Sequence, residues 1–238
     1  MVTLGERAGG RAPARRRVRL PSVQLKFVMA ASGVIMLLFL IGHMVGNLKI
    51  FLGAEAIDTY AHWLRTVGEP AVPEQTLLWI MRVVLTAALL GHIGSAIVLT
   101  RRAHKARPVK YVHHRKVQGS YAARTMRWGG VIIALFLVWH ILDLTTGTVN
   151  PNGVSGAVYD NVAADFAPDR WYVTLFYSLA VVAVGIHVRH GMWSALQSIG
   201  RSSVATQRTL KGVALGLAIV LTAGFLSVPF AVLTGLVG

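Results

Sequence analysis

Five long apolar stretches constrain this chain more than any other feature. They cover residues 24–51, 76–100, 121–146, 169–197 and 212–238, and each exceeds the about 20 residues that a helix needs to cross about 30 Å of hydrocarbon. Lipid offers no water to backbone N–H and C=O groups, so such stretches are expected to close their own hydrogen bonds as helices. The core of the first, FVMAASGVIMLLFLIG, carries no charge, and the fifth has no charged residue at all. Helix-stopping and turn residues gather in the breaks, Gly68, Glu69, Pro70 and Pro73 in one and Asn150, Pro151, Asn152 and Gly153 in another. The expected fold is all-α, an integral membrane bundle of five transmembrane helices over 24–238, preceded by a basic, disordered arm over 1–23. No length remains for a separate soluble domain.

Only 14% of the residues are charged, against about 25% in soluble proteins, yet the net charge is +15. Its distribution explains the imbalance. Residues 1–26, 101–127 and 199–211 together hold 19 Lys and Arg and one acid, a charge of +18, whereas 49–75 and 143–170 hold three Lys and Arg and eight acids, a charge of −5. Arg82 and Arg189 supply the remaining +2 from inside spans. Because Lys and Arg are retained on the cytoplasmic side, the N-terminus is expected inside and the C-terminus outside, in a multi-pass protein of the cell's inner (plasma) membrane.

The N-terminal arm and first apolar stretch also have the outline of a signal peptide, and Arg16-Arg17 that of a twin-arginine signal. The stretch is too long for that role and lacks a convincing small-residue cleavage site. Topology and attraction to anionic headgroups suffice to explain the arm. Nucleic acid is not an expected partner, because the basic segments are separated by spans and lack an aromatic recognition module.

The chain has no Cys and nine His, so disulfides, thiolate metal sites and a thiol nucleophile are excluded within it. Ionisable groups inside a span are costly and usually face the bundle interior. Four His fall well inside the expected spans: His43, His92, His140 and His187. At a rise of 1.5 Å per residue, His43 and His140 each lie about 28 Å from the inner end of an outward-running helix. His92 and His187 lie about 12–15 Å from the inner ends of inward-running ones.

Two His pairs at two depths, drawn from four helices, are the arrangement expected of two bis-His haems stacked across a membrane. Zinc normally takes three or four ligands at one depth, and a proton relay needs interleaved carboxylates, absent from the spans before Asp143. The plainer alternative is that each His hydrogen-bonds between helices. His190 competes with His187 but lies less deep, so His187 is the expected ligand. Gly42, Gly46, Gly91, Gly94 and Gly185 flank these His, suiting either a flat macrocycle or close helix packing. His104, His113 and His114 fall in the basic loop.

At these residues the chain resembles the five-helix, single-subunit, di-haem cytochrome b anchor of succinate dehydrogenases and fumarate reductases. The resemblance covers nearly the whole chain: GHM around His43, GAEAIDTYAHW after it, WH at Trp139 and His140, and IHVRHGMWSAL with His187, Gly191 and Trp193 in an H-x-x-x-G-x-W pattern. His92 maps to the second-helix ligand. The resemblance implies an inner haem b on His92 and His187 and an outer one on His43 and His140. It also implies a flavoprotein and an iron–sulphur subunit docked on the cytoplasmic face, and electrons passed from succinate to a quinone, commonly menaquinone. Succinate chemistry then belongs to another chain, and a further small membrane subunit is left open.

Haem propionates need cationic partners. The candidates are Arg82, Arg189 and Lys211, for which a salt bridge (Arg82) and snorkelling to the interface (Arg189, Lys211) are the plainer roles. A quinone carbonyl needs a donor and a proton path, and His62, Trp63, Arg65 and Glu69 in the acidic loop are the candidates. The same four residues are also what an amphipathic loop helix would carry. Two rival functions share the intramembrane His: a di-haem cytochrome b of a hydrogenase or formate dehydrogenase, and a haem-free structural anchor.

Overall fold

The computed structural model describes residues 20–106, 119–198 and 204–238; most of the N-terminal arm, with His113 and His114, lies outside them. Seven helices follow in order: α1 (Ser22–Asn47), α2 (Ala54–Thr66), α3 (Thr76–Lys105), α4 (Gly119–His140), α5 (Val158–Asp165), α6 (Trp171–Ser198) and α7 (Val204–Leu233). No strand occurs among the described residues. Five of the helices, α1, α3, α4, α6 and α7, are long and apolar enough to cross a membrane, making this a multi-pass membrane protein by length and composition. Their outer faces are apolar, with Val23, Phe27, Leu38, Leu90, Leu135 and Leu179 each more than 60% exposed, a surface stable only against lipid.

Helices α6 and α7 pack most extensively; α1 lies against both, α3 rests chiefly on α1, and α4 chiefly on α6. Glycines permit the closest approaches. A Cβ on Gly185 of α6 would collide with Thr222 of α7, and one on Gly224 of α7 with Met44 of α1, the small-residue packing by which membrane helices gain contact without a hydrophobic drive. Neither α1 with α4 nor α3 with α6 shares an extended backbone contact.

The two ends of the bundle differ. At the basic end, Arg102 donates to Ser22 Oγ at 3.0 Å and to the Leu20 carbonyl at 2.7 Å, and Arg127 donates to His104 Nε2 at 3.0 Å. The acidic end holds α2, α5 and the best-packed core, in which Ile50, Ile57, Val162, Phe166, Val173, Tyr177, Val228 and Val232 meet. The turn expected at 150–153 forms there. Asn150 Oδ1 accepts from the N–H groups of Asn152 and Gly153, both at 3.0 Å. Gly147 and Gly153 adopt φ of 70° and 60°, and a Cβ on either would meet the other's backbone at 3.0 Å or less.

One boundary departs from expectation. Helix α7 begins at Val204, inside the segment 199–211 read as a loop, and ends at Leu233. Charged residues end a hydrophobic run without ending a helix, and VATQRTLK contains no Gly or Pro to stop one. At the other end Gly235 takes φ 72°, and the Leu236 N–H reaches the Ala231 carbonyl at 2.8 Å, the six-to-one bond of a glycine-terminated helix.

Helix α5 is held by a residue 100 positions away: Asp58 Oδ1 accepts from Val158 N at 2.8 Å and Tyr159 N at 3.1 Å, capping its first turn. Asp58→Ala is therefore expected to destabilise the protein by about 1 kcal/mol while Asp58→Asn retains most of the cap. Thermal unfolding of the three proteins in detergent checks this; equal stability of all three would remove Asp58 as the anchor of α5.

Candidate functional site

The four intramembrane His are half-buried and meet in two pairs. The His92 ring on α3 faces that of His187 on α6 with centroids 6.2 Å apart, and the His43 ring on α1 faces His140 on α4 at 5.8 Å. Each pair bridges two helices whose backbones do not pack against each other.

His92 is oriented by α1. Its Nδ1 lies 3.0 Å from the Met29 carbonyl, which can only accept, so Nδ1 carries the proton and Nε2 keeps a free lone pair. Ser32 Oγ, 3.3 Å from the same nitrogen, donates to the Val28 carbonyl at 2.6 Å. Backbone support of this kind fixes the tautomer of a metal-ligating imidazole. Nδ1 of His140 and of His187 is buried without a hydrogen-bond partner, so the protein does not exhaust the bonding capacity of these rings.

The helices that supply one pair also wall the other. Gly33 on α1 and Gly130 on α4 each lie ten residues, about 15 Å, before an outer His, and a Cβ on them would stand 3.6 Å from His92 Cε1 and 3.9 Å from His187 Cε1. Tyr177 lies ten residues before His187, and its ring packs 6.0 Å from His140. Arg82 lies ten residues before His92. Each outer His also stacks on a phenylalanine one turn earlier, His43 on Phe39 at 5.2 Å and His140 on Phe136 at 5.6 Å. Gly33, Gly130, Phe39 and Phe136 were missed in the sequence, although a signal was present. SGVIMLLFLIGH at 32–43 and GGVIIALFLVWH at 129–140 share Gly, Val, Ile, Leu, Phe, Leu and His in register.

Of the other residues expected to serve a cofactor, Arg82 lies over the Trp79 ring at 4.8 Å and makes no ion pair among the described residues, so the salt bridge considered for it is not formed. Lys211 lies over Trp193 at 5.0 Å. Arg189 is exposed near the same end.

The expected quinone rim lies on and just beyond α2. His62, Trp63 and Glu69 are exposed, and Arg65 donates to the Ala61 carbonyl at 2.9 Å. The inner face of α2 instead presents Ile57, Tyr60 and Ala61 to a cavity of about 110 Å³ completed by His43, Gly46, Asn47 and Val158. Trp63 reaches this cavity only through its stacking on Tyr60. Asn47, at the end of α1, and Tyr60 were not singled out in the sequence, although Ile57, Tyr60, Ala61 and Leu64 recur at the i, i+3, i+4, i+7 spacing of an apolar helix face. No protein-family model matches the chain, and neither a curated protein nor a solved structure does. Its chemistry must be read from the geometry.

A polar cluster lies one turn beyond His140. There the helix widens into a π turn over Ile141–Thr145, and Asp143 is 1% exposed. Tyr177 donates its hydroxyl proton to Asp143 Oδ2 at 2.6 Å, and Asn150 Nδ2 approaches Oδ1 at 3.4 Å. Asp165, wholly buried at the end of α5, faces Asp143 within hydrogen-bonding reach and accepts from Arg170 Nη2 at 2.9 Å. Burial first, then the Asp143 carboxyl, push Asp165 up to about 7 against the pull of Arg170.

That direction sets a pH dependence. The folded value exceeds the ordinary 3.8, so between about pH 4 and 7 the folded state binds more protons than the unfolded chain, and stability falls as pH rises through this window. Melting temperature is expected to drop from pH 5 to pH 8 in the wild type. The drop should shrink in Asp165→Asn, which cannot ionise; an equal drop in both would show that Asp165 does not titrate there.

Proposed function

We propose that this chain is the membrane-anchor cytochrome b subunit of a succinate dehydrogenase or fumarate reductase, holding one haem b between His92 and His187 and another between His43 and His140. The observation that carries the reading is the meeting of all four intramembrane His in two pairs, each across a gap between helices that do not pack. The ring centroids stand 6.2 and 5.8 Å apart, a separation across which one metal ion would be within bonding reach of a nitrogen from each ring. Glycine at positions 33 and 130 leaves the inner slot without side-chain bulk. When bound, each haem supplies reversible one-electron chemistry.

The chain's own residues then have definite tasks. Met29, through its carbonyl, keeps His92 in the ligating tautomer. Phe39 and Phe136 hold the outer imidazoles in plane and exclude water. Arg82, without a carboxylate partner, is available to a propionate on the outer side, and Arg189 and Lys211 to one on the inner side. Asn47 and Tyr60 bring an amide and a phenol to the cavity beside His43, where a quinone carbonyl can accept a hydrogen bond; His62, Trp63, Arg65 and Glu69 form the rim outside it. The flavoprotein and iron–sulphur subunits are assigned to the basic end, taken as cytoplasmic from the distribution of Lys and Arg.

A dithionite-reduced spectrum with haem stoichiometry, taken on the complex purified with its partners, tests the assignment. Two haems b per chain and reduction of their bands by succinate are expected. Replacement of His92 or His187 by Ala should remove the inner haem and leave the outer one. Absence of b-type bands in the wild type would sink the reading. In quinone assays Asn47→Ala and Tyr60→Phe should raise KM at least several-fold while Glu69→Gln and His62→Ala act as wild type; the reverse pattern moves the quinone to the rim.

A further inference from the structure

The carboxyl cluster beyond His140 takes no part in the tasks assigned to the chain above. Asp143 and Asp165 are 1% and 0% exposed, and burying two charges in contact with each other is among the costliest arrangements in a protein. Their donors are unevenly shared. Asp143 receives Tyr177 and Asn150, Asp165 receives Arg170 on Oδ1, and Asp165 Oδ2 is fully buried with no donor at all. A carboxylate oxygen can only accept, so the orphaned oxygen beside a second carboxyl is the place where a proton satisfies both groups.

We propose that Asp143 and Asp165 form a proton-holding carboxyl pair that shares one proton and gains or loses it as the charge at the neighbouring His43–His140 pair changes. The coupling to charge at the His pair rests on the function proposed above; the shared proton does not.

Every charged group packed against the pair agrees with this. From the turn before α6, Arg170 supplies one positive charge, enough to balance one carboxylate and not two. From α6, Tyr177 supplies a neutral donor. From the loop, Asn150 is neutral, and its Nδ2 also binds the Asn161 carbonyl at 3.1 Å. From α4, His140 stands one turn before Asp143 and within its electrostatic influence. Asp165 sits at the C-terminus of α5, where the helix dipole disfavours a carboxylate. The pair at its resting charge is thus one carboxylate, one carboxyl and one guanidinium. An electron arriving at the outer His pair adds one negative charge nearby and favours the protonated pair, so where the shared proton has been lost it is taken up again; departure of the electron releases it. Arg170 is 22% exposed, so the pair stands one side chain from the acidic-end surface, the side from which the proton comes.

Infrared difference spectroscopy on the full chain in detergent, in H₂O and D₂O, tests both parts. A protonated-carboxyl C=O band is expected at pH 6, where exposed carboxyls are ionised, and it should shift in D₂O and vanish in either Asp143→Asn or Asp165→Asn. No such band in the wild type, or a band surviving in both variants, overturns the shared proton; the wild-type result decides even where a variant fails to fold. At about pH 8, reduction of the haems should increase the band, and the outer midpoint potential should fall with rising pH in the wild type and less in Asp165→Asn. A band that ignores reduction overturns the coupling. A chain that shows the band but binds no haem overturns the cytochrome assignment and the coupling with it, while the proton pair stands.

Discussion

The site depends on how closely α7 approaches its neighbours. This helix carries none of the His, although its Phe225 ring packs 5.8 Å from that of His43, and it lies against α6 at Gly185 and against α1 at Gly224. Those contacts set the spacing of α1 and α6, and α3 and α4 are carried on the outer sides of these two. In lipid, where apolar side chains gain nothing by leaving solvent, such close backbone packing is the main source of helix association.

The two ends of the bundle solve different problems. Through the middle, α1 stands apart from α4 and α3 from α6, and the imidazoles meet across those gaps. At the acidic end the chain folds as a soluble protein does, with a continuous apolar core, a capped helix and a polar network around Asp143. That end clamps α4 to α6 through Tyr177 and Asp143, and α2 to α5 through Asp58. The looseness of the middle is tolerable because the end is rigid.

The sequence made much of this legible. Span number, the unlike charge of the two ends and the four His at two depths all follow from counting residues along apolar stretches. What it missed shares one character. Tyr60 rather than His62 lines the cavity, Gly33 and Gly130 rather than Gly46 and Gly185 face imidazoles, and Asp143 meets Asp165. Each is a matter of which way a residue points around its helix axis. For a soluble helix the polar face would reveal that direction. Around the spanning helices that carry Gly33, Gly130 and Asp143, lipid and protein interior are both apolar, so hydrophobicity carries little azimuthal signal, whereas the apolar face of α2 was there to be read.

The sequence by itself therefore determined position along the membrane normal, because the rise per residue is constant and hydrocarbon thickness limits each span. Tertiary structure alone decided rotation and neighbourhood within the spans: which glycines face the imidazoles, how the π turn after His140 aims Asp143, and that residues 143, 165 and 177 converge. Those outcomes follow from steric fit at a few glycines and from the need of buried polar groups to find partners, neither of which leaves a periodic mark on the chain.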